Sequence, residues 1–202
     1  MTSPGRESPP VQASPRYPDR WLAVLRITVG VWFLKSILTK VSVALVGGFL
    51  PVPVASARWI ETMPTLIARY AADNPFPAYR GFLLGTVAPH QAFAHLTALG
   101  EVAVGLSLVL GLFTEVGAAA GALQVIFYGL AVQHMSPGQQ GFHVMLLAMM
   151  LAFLFARAGR TWGLDGWLAR RRSDLGGERR MPPTPWTRKV PAPAVSVIDR
   201  GA

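Results

Sequence analysis

Three residue types able to carry charge or a proton fall where the surrounding sequence is apolar. The stretch from Phe93 to Leu112, FAHLTALGEVAVGLSLVLGL, is apolar or small almost throughout and holds one carboxylate, Glu101. An earlier apolar stretch holds Arg26, Lys35 and Lys40. A charge at the centre of a membrane helix costs roughly 2.5–3.5 kcal/mol on insertion scales, so each of these residues needs a partner or a route to water. With a rise of about 1.5 Å per residue, Lys35 and Glu101 lie at about the same depth and Lys40 near one surface. The counter-charge of Glu101 is therefore Lys35 or Lys40. Such a pair either joins two helices as structure or handles protons and anions as chemistry.

The histidines extend the pattern. His90, His95, His134 and His143 all fall at or just beyond the ends of apolar segments on the side where Lys35, Lys40 and Glu101 gather. Gln133, Gln139 and Gln140 lie there too. A cluster of that kind suits a quinone headgroup, an anion or protons, although interfacial His and Gln are also simply solvated. No His pair has the i,i+4 spacing of a helical zinc motif, so no metal is expected. With 0 Cys, thiolate chemistry and disulfides within the chain are excluded.

Composition sets the frame that must hold these residues. Hydrophobic residues make up 51% and charged ones 14% of the 202 residues, well below the roughly 25% charge of a soluble domain. The net charge of +9 is carried by clusters flanking apolar runs, which fits lipid headgroups rather than nucleic acid. No phosphate loop, dinucleotide fingerprint or nucleic-acid module is present. Four segments are long enough to span a membrane: about Trp21–Val46, Ala94–Phe113, Val116–Met135 and Phe142–Arg157. Only helices suit single spanning segments, because lipid offers the backbone no hydrogen-bond partner. The expected fold is thus an all-α membrane protein, a four-transmembrane-helix bundle.

Thr114–Glu115 and the SPGQQG stretch (136–141) read as tight turns between antiparallel spans. The long link between the first and second spans is broken by prolines. In it, RWIETMPTLIARYAA (58–72) and AYRGFLLGTV (78–87) read as short interfacial helices. The small-residue run GAAAG (117–121) favours close helix packing. Residues 1–20, rich in Pro and Ser, are expected to be a disordered cytoplasmic arm. They do not resemble a signal peptide. The domain proper is 21–168, and 169–202 forms a basic, Pro-rich cytoplasmic tail in which Arg170, Arg171, Arg172 and Trp186 are candidates for docking a partner. The concentration of Arg after the fourth span puts both termini in the cytoplasm and the long link outside. Arg26 is expected to snorkel to the cytoplasmic surface.

These residues carry a family resemblance. The stretch YRGFLLGTVAPHQAFAHLTALGEVAVGLSLVLGLFTEVGAAAG (79–121) is similar to the DoxX/DoxD family of small four-helix membrane proteins. Its shared features are Tyr79–Arg80, Pro89, Phe93, Gly100–Glu101, Gly105, Ser107 and Gly111–Leu112. WFLKSILTKV (32–41) resembles the first span of that family, with Lys40 at its basic position, and RAGRTWGLDGWL (157–168) resembles its ending. One departure is Thr114–Glu115, where the family usually has a Thr-Arg turn. The resemblance implies an integral protein of the bacterial inner membrane that works in a redox assembly, of which the small subunit of thiosulfate:quinone oxidoreductase is the best-described example. On that reading Glu101, Lys35 and Lys40 do the chemistry, His95, His134, His143 and Arg80 bind substrate or quinone, quinone is the cofactor, and other membrane redox subunits are the partners. The alternative is a non-catalytic accessory subunit of a respiratory or photosynthetic complex.

Overall fold

The computed structural model describes residues 17–177. The expected arm (1–20) lies outside that range except for its last four residues, and the tail from 178, Trp186 included, lies outside it altogether. Helix α1 (Tyr17–Leu34) starts four residues before Trp21 and is followed by α2 (Ser36–Lys40). Together they make an apolar rod, Pro18–Lys40, long enough to cross a bilayer. Three further helices meet the same test: α5 (Gln91–Leu110), α6 (Thr114–Val132) and α7 (Pro137–Phe155). Large apolar side chains cover their outward faces: Leu38 is 86% exposed, Val116 69% and Met145 67%. Water does not tolerate so continuous an apolar surface, whereas hydrocarbon does.

The first span ends six residues earlier than the sequence reading placed it. Val41–Val46 is not helix but strand β1, paired antiparallel with β2 (Leu50–Ala55) in a register that sets Val41 opposite Ala55. The fold is therefore mostly helical rather than all-α. The cause is local. Val41, Val43 and Val46 are β-branched, and Gly47 and Gly48 both take positive φ (66° and 81°), the conformation that a tight hairpin turn demands. Pro51 and Pro53 are tolerated because a two-stranded hairpin consists only of edges.

The rest of the link is helical. Helix α3 (Ala57–Ala72) is capped by Ser56, whose hydroxyl accepts from the Trp59 N–H at 3.2 Å. It is followed by α4 (Pro77–Phe82) and a π-helical turn (Leu83–Val87). These elements share a second apolar core with the near ends of α5 and α6, built on Met63, Ala71, Leu83, Val87, Ala94, Ala131 and Val132. Asn74, 4% exposed, ties the link to α6 by donating to the Leu130 carbonyl at 2.9 Å, and Tyr79 donates to the Phe127 carbonyl at 2.7 Å.

Small residues set the spacing of the bundle. A Cβ on Gly30 would stand 2.8 Å from Val109, and one on Gly105 would stand 2.8 Å from Leu34, so α1 and α5 pack almost backbone to backbone. The GAAAG run is used in the same way, with Gly117 facing Ser107 and Gly121 facing Met150 and Val104. The main core lies between these helices and centres on Leu108, Ala118, Val125, Met150 and Phe153.

The turns between the spans differ from the expected ones. Thr114 and Glu115 open α6 instead of forming the turn, which is Gly111–Phe113 with Gly111 at φ 63°. Likewise, Pro137 to Gly141 form the first turns of α7. Asp165, at the start of α8 (Leu164–Gly177), reaches back to cap α6 and accepts from the Phe113 and Thr114 N–H groups at 2.8 and 2.9 Å. A carboxylate there also complements the positive end of the helix dipole. Arg26 does not snorkel into water: it is fully buried, and its Nη2 donates to the Trp162 carbonyl at 3.1 Å. The loop 157–166 closes over it before its side chain reaches the surface. Glu115, the departure from the family turn, pairs with Arg157 at 3.4 Å on the surface. The four-helix unit extends to Ala169. Beyond it α8 continues with Arg170, Arg171 and Arg172 exposed.

Asp165→Ala removes an acceptor from the α6 N-terminus without altering any span, and the loss of such a cap costs about 0.5–2 kcal/mol. A lowered thermal midpoint of the purified protein in mild detergent is the expected result, with Asp165→Asn falling between the variant and the parent.

Candidate functional site

Lys40 is the residue that meets Glu101. Its Nζ lies 2.6 Å from Glu101 Oε1, and the Tyr128 hydroxyl donates to the same oxygen at 2.7 Å. Lys35 is not the partner: it is exposed, and its Nζ lies 3.9 Å above the Trp32 ring. Glu101 is 7% exposed, so its charge is held by an ammonium and a phenol rather than by water.

The geometry arises from three elements. Glu101 sits midway along α5, where Gly100 and Gly105 keep the neighbouring helices close. Tyr128 comes from α6, one residue after the ring of Phe127. Lys40 is the last residue of α2, and the hairpin fixes it there: the Ser56 N–H, just past β2, donates to the Lys40 carbonyl at 2.8 Å. Trp59, in the first turn of α3, places its ring 4.6 Å beneath Lys40 Nζ and is itself anchored through its indole N–H to the Ala94 carbonyl at 3.2 Å. The ammonium is thus braced by a carboxylate on one side and an aromatic face on another.

This cluster forms a wall between two cavities. The larger, of about 1090 Å3, is a half-open groove lined by α3, α4, the π turn, α5, α6 and the start of α7; it runs along α5 and α6 as far as Leu112 and Phe113 and is overwhelmingly apolar. Tyr70, Tyr79, Phe82, Phe93 and Phe127 give it aromatic sides. The smaller, of about 400 Å3, lies between the first span and α7 and is lined by Lys35, Ser36, Thr39, Glu101 and His143 among others. Lys40, Tyr128 and His143 line both.

The remaining candidates separate. His143 is positioned by a contact of its Nδ1 with the Gln139 carbonyl at 2.7 Å. His95 lines neither cavity; its Nδ1 accepts from the Ala55 N–H at 3.3 Å, which joins the hairpin to α5. A backbone N–H can only donate, so that Nδ1 carries no proton in this arrangement. His134 is half-buried with no described partner at Nδ1, and Arg80 is exposed on α4; neither lines a cavity. Among the described residues, no group of three His, Cys, Asp or Glu side chains could hold a metal ion.

Sequence reasoning missed Tyr128 and Trp59. Tyr128 lies 27 positions from Glu101, and no periodicity connects them. Its only trace in the sequence is a phenol inside an apolar span, where a hydroxyl needs a partner.

Four apolar membrane-spanning helices around a buried carboxylate, with a large apolar cavity beside it, define a small integral membrane protein with a polar site inside the bundle. The chain matches the family model described as TQO small subunit DoxD over residues 21–182, and it belongs to that family. No protein of curated function and no solved structure matches it.

The cluster makes two measurable claims. A double-mutant cycle of Lys40→Met and Glu101→Gln is expected to give a coupling of about 1–3 kcal/mol, because each single change strands the other group. A coupling near zero by thermal or chemical denaturation would mean that the pair is incidental. On the wall of the large cavity, burial pushes the Tyr79 phenol up to about 12. The unfolded chain releases that proton near pH 10 while the folded chain keeps it, so stability falls as pH rises from about 10 to about 12. Tyr79→Phe should flatten that part of the stability-pH curve.

Proposed function

We propose that the chain is the quinone-binding membrane subunit of an assembly that oxidises a small sulfur anion, as the thiosulfate:quinone oxidoreductase family implies. The observation that carries this reading is the Lys40–Glu101–Tyr128 cluster set into the wall of an apolar cavity of about 1090 Å3. Cavities of several hundred Å3 with few, well-placed polar groups are the usual form of ligand sites.

The residues present fit a quinone. Aromatic rings on Tyr70, Tyr79, Phe82 and Phe127 offer flat faces for a planar headgroup, and the apolar remainder suits an isoprenoid tail. Lys40 Nζ is a donor at one wall, and the Tyr128 hydroxyl, whose proton goes to Glu101, offers its oxygen there as an acceptor. Gln124 Oε1, which also belongs to a cavity-lining residue, is buried without a described partner and would accept from a hydroxyl. A bound quinone would supply the capacity to take up two electrons and two protons. In this chain, Tyr128 and Glu101 hold a proton where it can be passed, and Lys40 offsets the carboxylate charge in a low dielectric. Lys35 and Lys40 give the smaller cavity a cationic rim that attracts anions to this end of the bundle.

The same reading sets the protein in the bacterial inner membrane with both termini cytoplasmic, the hairpin outside, and α3 and α4 at the interface. Arg157, Arg160 and Arg170–Arg172 all follow the fourth span in the sequence, which is the distribution the positive-inside bias favours for a cytoplasmic C-terminal side. The exposed arginines of α8 are the surface offered to partner subunits.

The test is photolabelling of the assembly in native-like membranes with an azido-quinone, alongside sulfur-anion-dependent quinone reduction. Label is expected on the peptides carrying Tyr79 and Phe127. Glu101→Gln and Tyr128→Phe should each lower turnover by about 10²-fold, the scale of a lost proton-transfer group, with labelling retained. Full activity in both variants without label in this chain would make it an accessory subunit instead.

A further inference from the structure

The smaller cavity raises a separate question. Lys40 Nζ and the Tyr128 hydroxyl both reach Oε1 of Glu101, and no described donor reaches Oε2. Glu101 lines the smaller cavity and not the larger one. On the same cavity, Ser36 is 4% exposed and its Oγ has no described partner. A buried hydroxyl and a half-bonded carboxylate facing one space of about 400 Å3 are what ordered water satisfies. At about 30 Å3 of liquid volume per molecule, the space holds several waters. The exposed residues Lys35 and Thr39 also line it, on the side of the first span. Lys35 is only five residues from the end of the first span, within reach of an aqueous interface.

We infer that the smaller cavity is a hydrated crevice through which Glu101 exchanges protons with water, on the side of the cluster away from the large apolar cavity. The inference rests on the quinone reading only for the identity of the final acceptor. A proton from crevice water binds Oε2, and bulk water replaces it. Glu101 is then neutral, and rotation of its carboxyl about the terminal bond exchanges the two oxygens, so that its O–H can donate to the Tyr128 oxygen. This reverses the hydrogen bond seen in the structure and frees the phenol proton to turn into the large cavity. There it passes to an oxygen of a quinone that takes up electrons from the sulfur anion, and Tyr128 recovers a proton from Glu101. One proton crosses, and the cluster returns to its starting state. Lys40 holds Glu101 in place between transfers.

The absence of cysteine from the chain makes the test direct. Ser36→Cys and Thr39→Cys are introduced singly into the full chain in its assembly, in nanodiscs, and treated with the charged reagent MTSES or a lipophilic maleimide. Gln140→Cys is the water-exposed control and Ala98→Cys, fully buried, the closed one. For Ser36→Cys, MTSES labelling within about tenfold of the Gln140→Cys rate is expected, since thiol reactivity follows exposure and thiolate character. Labelling by the maleimide alone, or by neither reagent, would overturn the inference, because the crevice would then be lipid-filled or dry. These readings are made on resting protein, so they stand whether or not quinone binds. Where turnover is present, MTSES on Ser36→Cys should slow it by about tenfold with azido-quinone labelling unchanged, on the scale of a lost proton-transfer contribution. Unaltered turnover after complete labelling would refute the route.

Discussion

A carboxylate inside an apolar helix bundle is the constraint on which the rest of the structure depends. Glu101 cannot be left without partners at that depth, because the low dielectric that strengthens its bonds also penalises their absence. Its partners must come from other helices, since α5 around it is apolar and small. One donor is supplied by α6, the Tyr128 hydroxyl, and the other comes from the end of the first span, the Lys40 ammonium. The link between the first two spans follows from the second requirement. A lysine at a frayed helix end would spend its time in water. Here the chain turns directly into a hairpin whose far end returns to bond the Lys40 carbonyl, and the next helix places Trp59 beneath the ammonium.

Much of this was legible in sequence, for reasons that differ residue by residue. The four spans are visible because twenty consecutive apolar residues have few other uses. The pairing of Glu101 with a lysine of the first span is visible because depth along a helix is a simple count. Choosing between Lys35 and Lys40 needed the structure: Lys35 is nearer in depth, but its position on the helix turns it onto Trp32 instead. The hairpin was missed because an apolar β-branched run extends a span as naturally as it forms a strand. Gly47–Gly48 was the available signal, a pair suited to a hairpin turn. Tyr128 and Trp59 were beyond reach, since their roles depend on tertiary contacts that no spacing encodes. The snorkelling expected of Arg26 failed for a similar reason, because the loop that buries it lies 136 residues further on.

The two ends of the bundle solve opposite problems. Away from the hairpin, polar groups are used to close the structure: Asp165 caps α6, and Arg26 is enclosed beneath Trp162 with only part of its guanidinium bonded by described groups. There, glycines bring backbones together, as where a Cβ on Gly163 would stand 3.0 Å from Gly111. Near the hairpin, space is kept on each side of the Lys40–Glu101–Tyr128 wall, and the larger space runs on between α5 and α6 to Leu112 and Phe113. Cavities of that size cost stability in a well-packed protein. The small-residue seams of α1, α5 and α6 hold the helices together beside that open space.

The unequal character of those two spaces is what gives the wall a direction. Tyr128 and Lys40 face both cavities, whereas Glu101 faces only the smaller and more polar one. The carboxylate is therefore reached from the polar side, and the Tyr128 phenol stands between it and the apolar side. If the order were reversed, with the carboxylate on the apolar face, the charge would be desolvated by any ligand that entered and the site would resist occupancy. With the phenol in front, an apolar ligand meets a hydroxyl and an ammonium already held in place by Glu101, so binding requires little reorganisation of the charged pair.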